Sequence, residues 1–133
     1  MKVMIDTNVL ISAALNPSGF VAKSLYKALV APFEPVVCDY IVDEVHRKFQ
    51  EKFPNDIIHL EAFLYNALQT IEVIRTPEES IREEASVRDV KDRPIIRAAI
   101  AGDVDYLLTA DKDFLESSIA KPIAINSTDF MKL

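Results

Sequence analysis

Residues 1–15 read Met1-Lys2-Val3-Met4-Ile5-Asp6-Thr7-Asn8-Val9-Leu10-Ile11-Ser12-Ala13-Ala14-Leu15. The run Val3-Met4-Ile5 is apolar, does not alternate and is too short for a helix, so it reads as a strand covered on both faces. Asp6 interrupts it, and a helical pattern follows from Val9 to Leu15. The same strand-then-helix unit recurs along the chain. Further strand patterns lie at Pro35–Cys38, Ile71–Ile74, Tyr106–Thr109 and Pro122–Ile125. Helical patterns lie at Ser18–Val30, Ile41–Phe49, Ile57–Leu68, Pro77–Ala85, Ile95–Ala101 and Phe114–Ile119. This alternation predicts an α/β fold with about five parallel strands, helices on both faces and every strand buried on both faces. Ligands in such folds sit at the carboxyl ends of the strands.

Length and composition narrow the class. The chain has 133 residues, 50% hydrophobic and 27% charged, which suits one domain over residues 1–133. Only 2 glycines and 7 prolines are present, with no serine-rich linker and no repeat. Against 21 Asp+Glu stand 15 Lys+Arg, a net charge of −6, so no overall basic field draws the chain onto nucleic acid. Apolar runs are broken long before the roughly 18–20 residues of a membrane span, so no membrane association is expected. The first residues resemble no secretory leader, and a cytoplasmic protein is expected. The lone Cys38 excludes an internal disulfide and reads as a buried small hydrophobe.

The residues that follow the strands are mostly acids. Asp6 follows the first strand, and Asp111 and Asp113 follow the fourth in Thr109-Ala110-Asp111-Lys112-Asp113-Phe114. Asp92 opens the Ile95–Ala101 helix, in Asp89-Val90-Lys91-Asp92-Arg93-Pro94, and Glu44 lies in the first turns of the helix that Asp39 begins. Each acid taken alone has an ordinary explanation. Aspartates cap helices, Asn8 can do the same, and Glu44 precedes Lys48 at the spacing of an exposed ion pair. On a helical wheel, Ile41, Val42, Val45 and Phe49 form the buried stripe, with Glu44 at its edge.

Together the acids mean more, because carboxylates on one rim repel by about 3 kcal/mol per pair at about 5 Å and an effective dielectric near 20. A hard divalent cation, magnesium or manganese, removes that repulsion, whereas zinc is disfavoured by the all-oxygen donors. His46 and His59 have no ligand-type spacing. One or two such ions serve phosphoryl chemistry. Thr7, Asn8 and Thr109 would then bond the carboxylates or the ion's waters. Arg88, Lys91, Arg93 and Arg97 around Asp92, and Arg47, Lys48 and Lys52 after Glu44, can meet a phosphate backbone, although charge runs are commonly only solvated.

These residues resemble the PIN-domain family, in particular the VapC-like toxin components of prokaryotic toxin–antitoxin pairs. The resemblance rests on Ile5-Asp6-Thr7-Asn8-Val9-Leu10, Asp43-Glu44, Asp92 with Ile95 and Ile96 behind it, and Thr109 to Phe114. It implies strand order 3-2-1-4-5 and a magnesium- or manganese-dependent endoribonuclease that cleaves RNA with a metal-activated water. It also implies Asp6, Glu44, Asp92 and Asp111 as catalytic acids, with the ion on Asp6, Asp92 and Asp111 and Asp113 as an additional acid. Arg93 and Lys112 are candidate RNA contacts, and a homodimer and an inhibiting antitoxin are implied partners. The Arg93-Pro94 pair departs from the pattern: proline suits the first turn of the following helix, but it biases Arg93 away from helical geometry and shifts where that helix begins. A catalytically inactive scaffold on the same fold is one alternative. A receiver domain is another, but Arg75-Thr76-Pro77 follows the third strand where its phosphoacceptor aspartate belongs. A haloacid-dehalogenase-like phosphatase would need Asp-x-Asp after the first strand, where Asp6-Thr7-Asn8 stands.

Overall fold

The computed structural model describes residues 1–133. Five strands, β1 (Lys2–Ile5), β2 (Glu34–Cys38), β3 (Glu72–Ile74), β4 (Tyr106–Leu108) and β5 (Ile123–Ile125), form one sheet in the order β3-β2-β1-β4-β5. All four pairings are parallel, with Met4 opposite Val36 on one side and Leu107 on the other. Seven helices join them: α1 (Thr7–Leu15), α2 (Phe20–Ala28), α3 (Asp39–Lys52), α4 (Ile57–Leu68), α5 (Arg93–Ala101), α6 (Lys112–Leu115) and α7 (Ser127–Phe130). From β1 the chain steps outward to β2 and β3, and α1 to α4 pack together. It then returns past β1 to β4, so the right-handed crossover rule puts α5 on the opposite face. No helix is long and apolar enough to cross a membrane.

Pairing on both sides explains the burial of the central strands. Val3, Met4, Ile5, Leu107 and Leu108 are 0% exposed, as are Val37 and Cys38. The expectation that every strand is covered on both faces fails at the edges, where Val73 is 48% and Ile123 52% exposed. Each edge strand has only one neighbour in the sheet.

Two expected helices are corrected. Residues 77–85 form no α-helix; bends lead to a 3-10 turn at Arg82–Ser86. That stretch is rich in acids and has Ile81 as its only large apolar residue, so no apolar stripe drives a helix. The Phe114–Ile119 pattern shrinks to α6, which ends at Leu115, and the Ser117 hydroxyl bonds the Phe114 carbonyl at 2.7 Å in competition with helix continuation. The bias of Arg93 away from helical geometry, expected from Pro94, is also corrected. Arg93 is helical at φ −59°, ψ −37°, because a 3-10 turn at Val90–Asp92 leads directly into α5 and Pro94 sits in the first turn, where no N–H partner is needed. The short α7 escaped the periodicity reading. Asn126 caps it by accepting the Asp129 N–H at 2.8 Å, and Phe130 is buried against Phe33, with ring centroids 4.9 Å apart.

Candidate active site

The strand order reverses between β1 and β4, and the carboxyl ends of these two strands open into a cleft of about 720 Å³. Its lining is polar or charged apart from Tyr40, and it receives Asp6, Glu44, Asp92 and Asp111. Asp6 directly follows β1 and is held on three sides. Its N–H donates to the Leu108 carbonyl at 3.0 Å. Its Oδ1 accepts the Thr7 N–H at 2.8 Å, which makes it the N-cap of α1, and its Oδ2 accepts the Thr109 hydroxyl at 2.7 Å. That cap starts α1 two residues before the apolar pattern does.

Asp6 is 4% exposed, and burial pushes its carboxyl up to about 6 despite the Thr109 and Thr7 bonds that favour the anion. The charges of Glu44 and Asp111 push in the same direction. Asp92 is pushed further, to about 7, by burial and then by the neighbouring Asp111 carboxylate. Although Asp92 precedes α5, its side chain caps no helix N–H, and its carboxyl faces that of Asp111 instead. Asp111 is the N-cap of α6: its Oδ1 accepts the Asp113 N–H at 2.9 Å, and its own N–H donates to Thr109 Oγ1 at 3.0 Å. Thr109 thus ties the acid after β1 to the acid after β4.

Glu44 lies deeper than the edge of the helical stripe suggested, at 8% exposed. The Thr7 hydroxyl donates to its Oε1, and Arg47 stands 3.8 Å from its Oε2. The exposed Glu44–Lys48 pair does not form. Lys48 instead reaches Asn8 Oδ1 at 3.4 Å, and Asn8, which caps no helix, faces the same cleft. Arg47, Lys48, Lys52 and Lys91 supply positive charge to the cleft wall.

Other sequence candidates lie elsewhere. Asp113 does not line the cleft; Arg88 holds its Oδ1 at 2.9 Å and reaches Glu116 with a second nitrogen at 2.9 Å. Arg93 turns away, donating to the Val87 and Ala85 carbonyls at 2.9 and 3.4 Å, and Lys112 is outside the lining. Arg97 is turned inward onto Glu84. The tightest trio of acids also differs from the cleft quartet. Carboxylate oxygens of Asp89, Asp92 and Asp113 lie within 4.8 Å of one another. Asp92 therefore belongs to both groups, coupled by charge to Asp6 and Asp111 on one side and close to Asp89 and Asp113 on the other. Glu51 and Asp89 also line the cleft and were not singled out from the sequence, and Asp89 is the one beside Asp92. Asp89 stands three residues before Asp92, and only the 3-10 turn between them brings both to the cleft. Tyr40 was also missed; its hydroxyl donates to the Lys91 carbonyl at 2.5 Å across the cleft wall.

Comparison with known proteins agrees with this topology. The chain is similar to a chain in the structure of VapBC2 from Rickettsia felis bound to a DNA fragment from their promoter, with TM-score 0.73 and 17% identity over 95% of this chain and 98% of that one. It is similar to a chain of DNA-bound VapBC from Salmonella typhimurium, with TM-score 0.70 and 14% identity over 96% of this chain and 98% of that one. At these identities the likeness is one of fold. No curated protein is significantly similar in sequence. The PIN domain family matches over residues 2–113. That stretch includes every segment that brings a carboxylate to the cleft, and the chain belongs to the PIN domain family.

Proposed function

We propose that residues 1–133 form a single metal-dependent endoribonuclease domain, the toxin of a cytoplasmic toxin–antitoxin pair. The observation that carries this reading is the convergence of Asp6, Glu44, Asp92 and Asp111 in one polar cleft with a cationic wall. The donors are all carboxylate oxygens, and burial and mutual repulsion raise two of them toward neutrality, so the set suits a hard divalent cation that relieves both penalties. Asp6, Asp92 and Asp111 would hold one or two ions, magnesium or manganese, with Glu44 completing the cluster and Asp113, whose Oδ1 is held by Arg88, as an additional acid beside Asp92. When bound, such an ion supplies an activated water and neutralises charge that develops on phosphorus.

The chain's own residues prepare the site. Thr109 fixes Asp6 and orients Asp111 through one oxygen, and Thr7 fixes Glu44, so the carboxylates are held before substrate arrives. The Thr7 hydroxyl is committed to Glu44, which favours water over a side chain as the nucleophile. Arg47, Lys48, Lys52 and Lys91 meet the phosphates of an RNA strand, which gives an acidic protein a local anion-binding surface. Likeness to chains of VapBC assemblies supports an antitoxin partner. Exposed Ile58 and Tyr65 on α4, 86% and 69% exposed, support protein contacts, including a homodimer. The inactive-scaffold reading is disfavoured because no acid of the cluster is missing.

The test is cleavage of a mixed cellular RNA pool with magnesium, manganese or chelator, beside Asp92→Asn prepared identically. Metal-dependent cutting that is lost in the variant supports the reading. Absence of cutting by the unaltered protein with either ion removes it.

A further inference from the structure

Residues 75–92 join β3 to α5 and bring Asp89, Lys91 and Asp92 to the cleft, yet this segment has almost no apolar anchorage. Within it only Glu84, at 4% exposed, and Val87, at 0%, are buried. Ordering each residue costs backbone entropy, and one buried valine does not offset that cost along the whole segment. Polar bonds to α5 set its path instead. Arg97 donates Nε and Nη2 to the two oxygens of Glu84, each at 2.9 Å, and Nη1 to the carbonyls of Pro77 at 3.0 Å and Glu78 at 3.3 Å. Glu84 Oε1 in turn accepts the Ile81 N–H at 2.8 Å. One guanidinium, on a side chain 13% exposed, therefore gathers two separate stretches of the segment directly and a third, at Ile81, through Glu84.

The helix that carries Arg97 begins directly after Asp92, so the grip on the segment and the acid it delivers share one rigid element. The far ends are tied separately. Thr76 bonds Asp39 through its N–H at 2.9 Å, and Tyr40 bonds the Lys91 carbonyl. A buried ion pair adds little net stability, because both charges lose water; what a bidentate pair supplies is direction. The Arg97 bonds hold the Glu84 carboxyl below its ordinary value, which keeps the pair ionised at neutral pH.

We propose that Arg97 and Glu84 are positioning residues, whose bidentate pair sets the path of residues 75–92 and thereby the placement of Asp89 and Asp92 in the cleft. The consequence for cleavage rests on the nuclease reading; the consequence for the segment does not. Two variants test it. Arg97→Lys keeps the charge but cannot span both Glu84 oxygens and the two carbonyls. Glu84→Met with Arg97→Met fills the same space and leaves no unpaired charge.

Amide hydrogen exchange, Mn2+ titration by calorimetry and RNA cleavage are measured on each variant. The expected result is at least tenfold faster exchange within residues 75–92 with β1 and α1 unchanged, and Mn2+ affinity weakened at least fivefold. On RNA, kcat falls at least tenfold while KM stays within twofold. Wild-type exchange and Mn2+ affinity in folded Arg97→Lys would overturn the proposal, as would faster exchange spread evenly over the domain. If the unaltered protein cleaves no RNA, the nuclease reading fails, and the exchange pattern still decides the role of the pair.

Discussion

Thr109 and Asp6 meet across the seam between β4 and β1, with the hydroxyl donating to Asp6 Oδ2 at 2.7 Å, and both residues are buried. No water replaces this bond if the hydroxyl is removed. Thr109→Val should therefore destabilise the protein by about 1–3 kcal/mol at pH 8, where Asp6 is ionised. Near pH 5, where Asp6 is protonated, the loss should be smaller. Urea unfolding at the two pH values measures the difference, and equal losses would show that the bond does not depend on the Asp6 charge.

Asp6 also makes the metal-free protein sensitive to pH. Its carboxyl stands at about 6 in the fold against 3.8 unfolded, so the folded state binds the proton more tightly. Its contribution is fully present below about 4 and is lost as pH rises through about 6, a loss of about 3 kcal/mol. Asp92, at about 7, extends the same trend to neutrality. Asp6→Asn should accordingly melt higher than the unaltered protein in chelator at pH 7.5 and close to it at pH 4.5. The same variant should cleave no RNA. A melting difference that shrinks as pH rises would contradict this linkage.

Lys48 and Lys52 stand on the cleft wall without touching Asp6, Asp92 or Asp111. Their replacement by glutamine removes two candidate phosphate contacts. The slope of log affinity against log salt for a single-stranded RNA should fall by about 1.4, while Mn2+ affinity is unchanged. Filter binding at several salt concentrations supplies the slope, and an unaltered slope would place the RNA elsewhere.

Arg93 gives the opposite expectation. Its guanidinium is engaged by the Val87 and Ala85 carbonyls, so Arg93→Ala should cost about 1–2 kcal/mol of stability. The RNA salt slope should stay as it was. A loss of RNA affinity at constant stability would return Arg93 to the substrate surface.

Much of the architecture was readable from local pattern. Val3-Met4-Ile5 and Tyr106-Leu107-Leu108 are short apolar runs because central parallel strands are covered on both faces, and α4 starts and ends where its pattern does. Asp6 and Asp111 were visible because a strand end is a local feature and ligand sites in this architecture gather at strand ends. The edge strands misled for the same local reason. The run Ile71–Ile74 carries no sign that β3 has a single neighbour.

Residues 77–92 were the least readable part of the chain, and they carry Asp89, one of the acids close to Asp92. Their course follows from Arg97 reaching back to Glu84 and Pro77, and from Arg88 reaching forward to Asp113. A run of charged residues has no period to reveal which of its members turns inward, because a charged side chain's direction depends on the partner it finds after folding. The α/β alternation and the acids at strand ends are thus properties of apolar period already present in the linear chain, and strand order came with the family resemblance of the acid-bearing segments. Which arginine grips the backbone, which faces solvent, and that Asp89 joins Asp92 while Arg88 claims Asp113 depend on contacts between segments brought together only by the packing of α5 against the sheet.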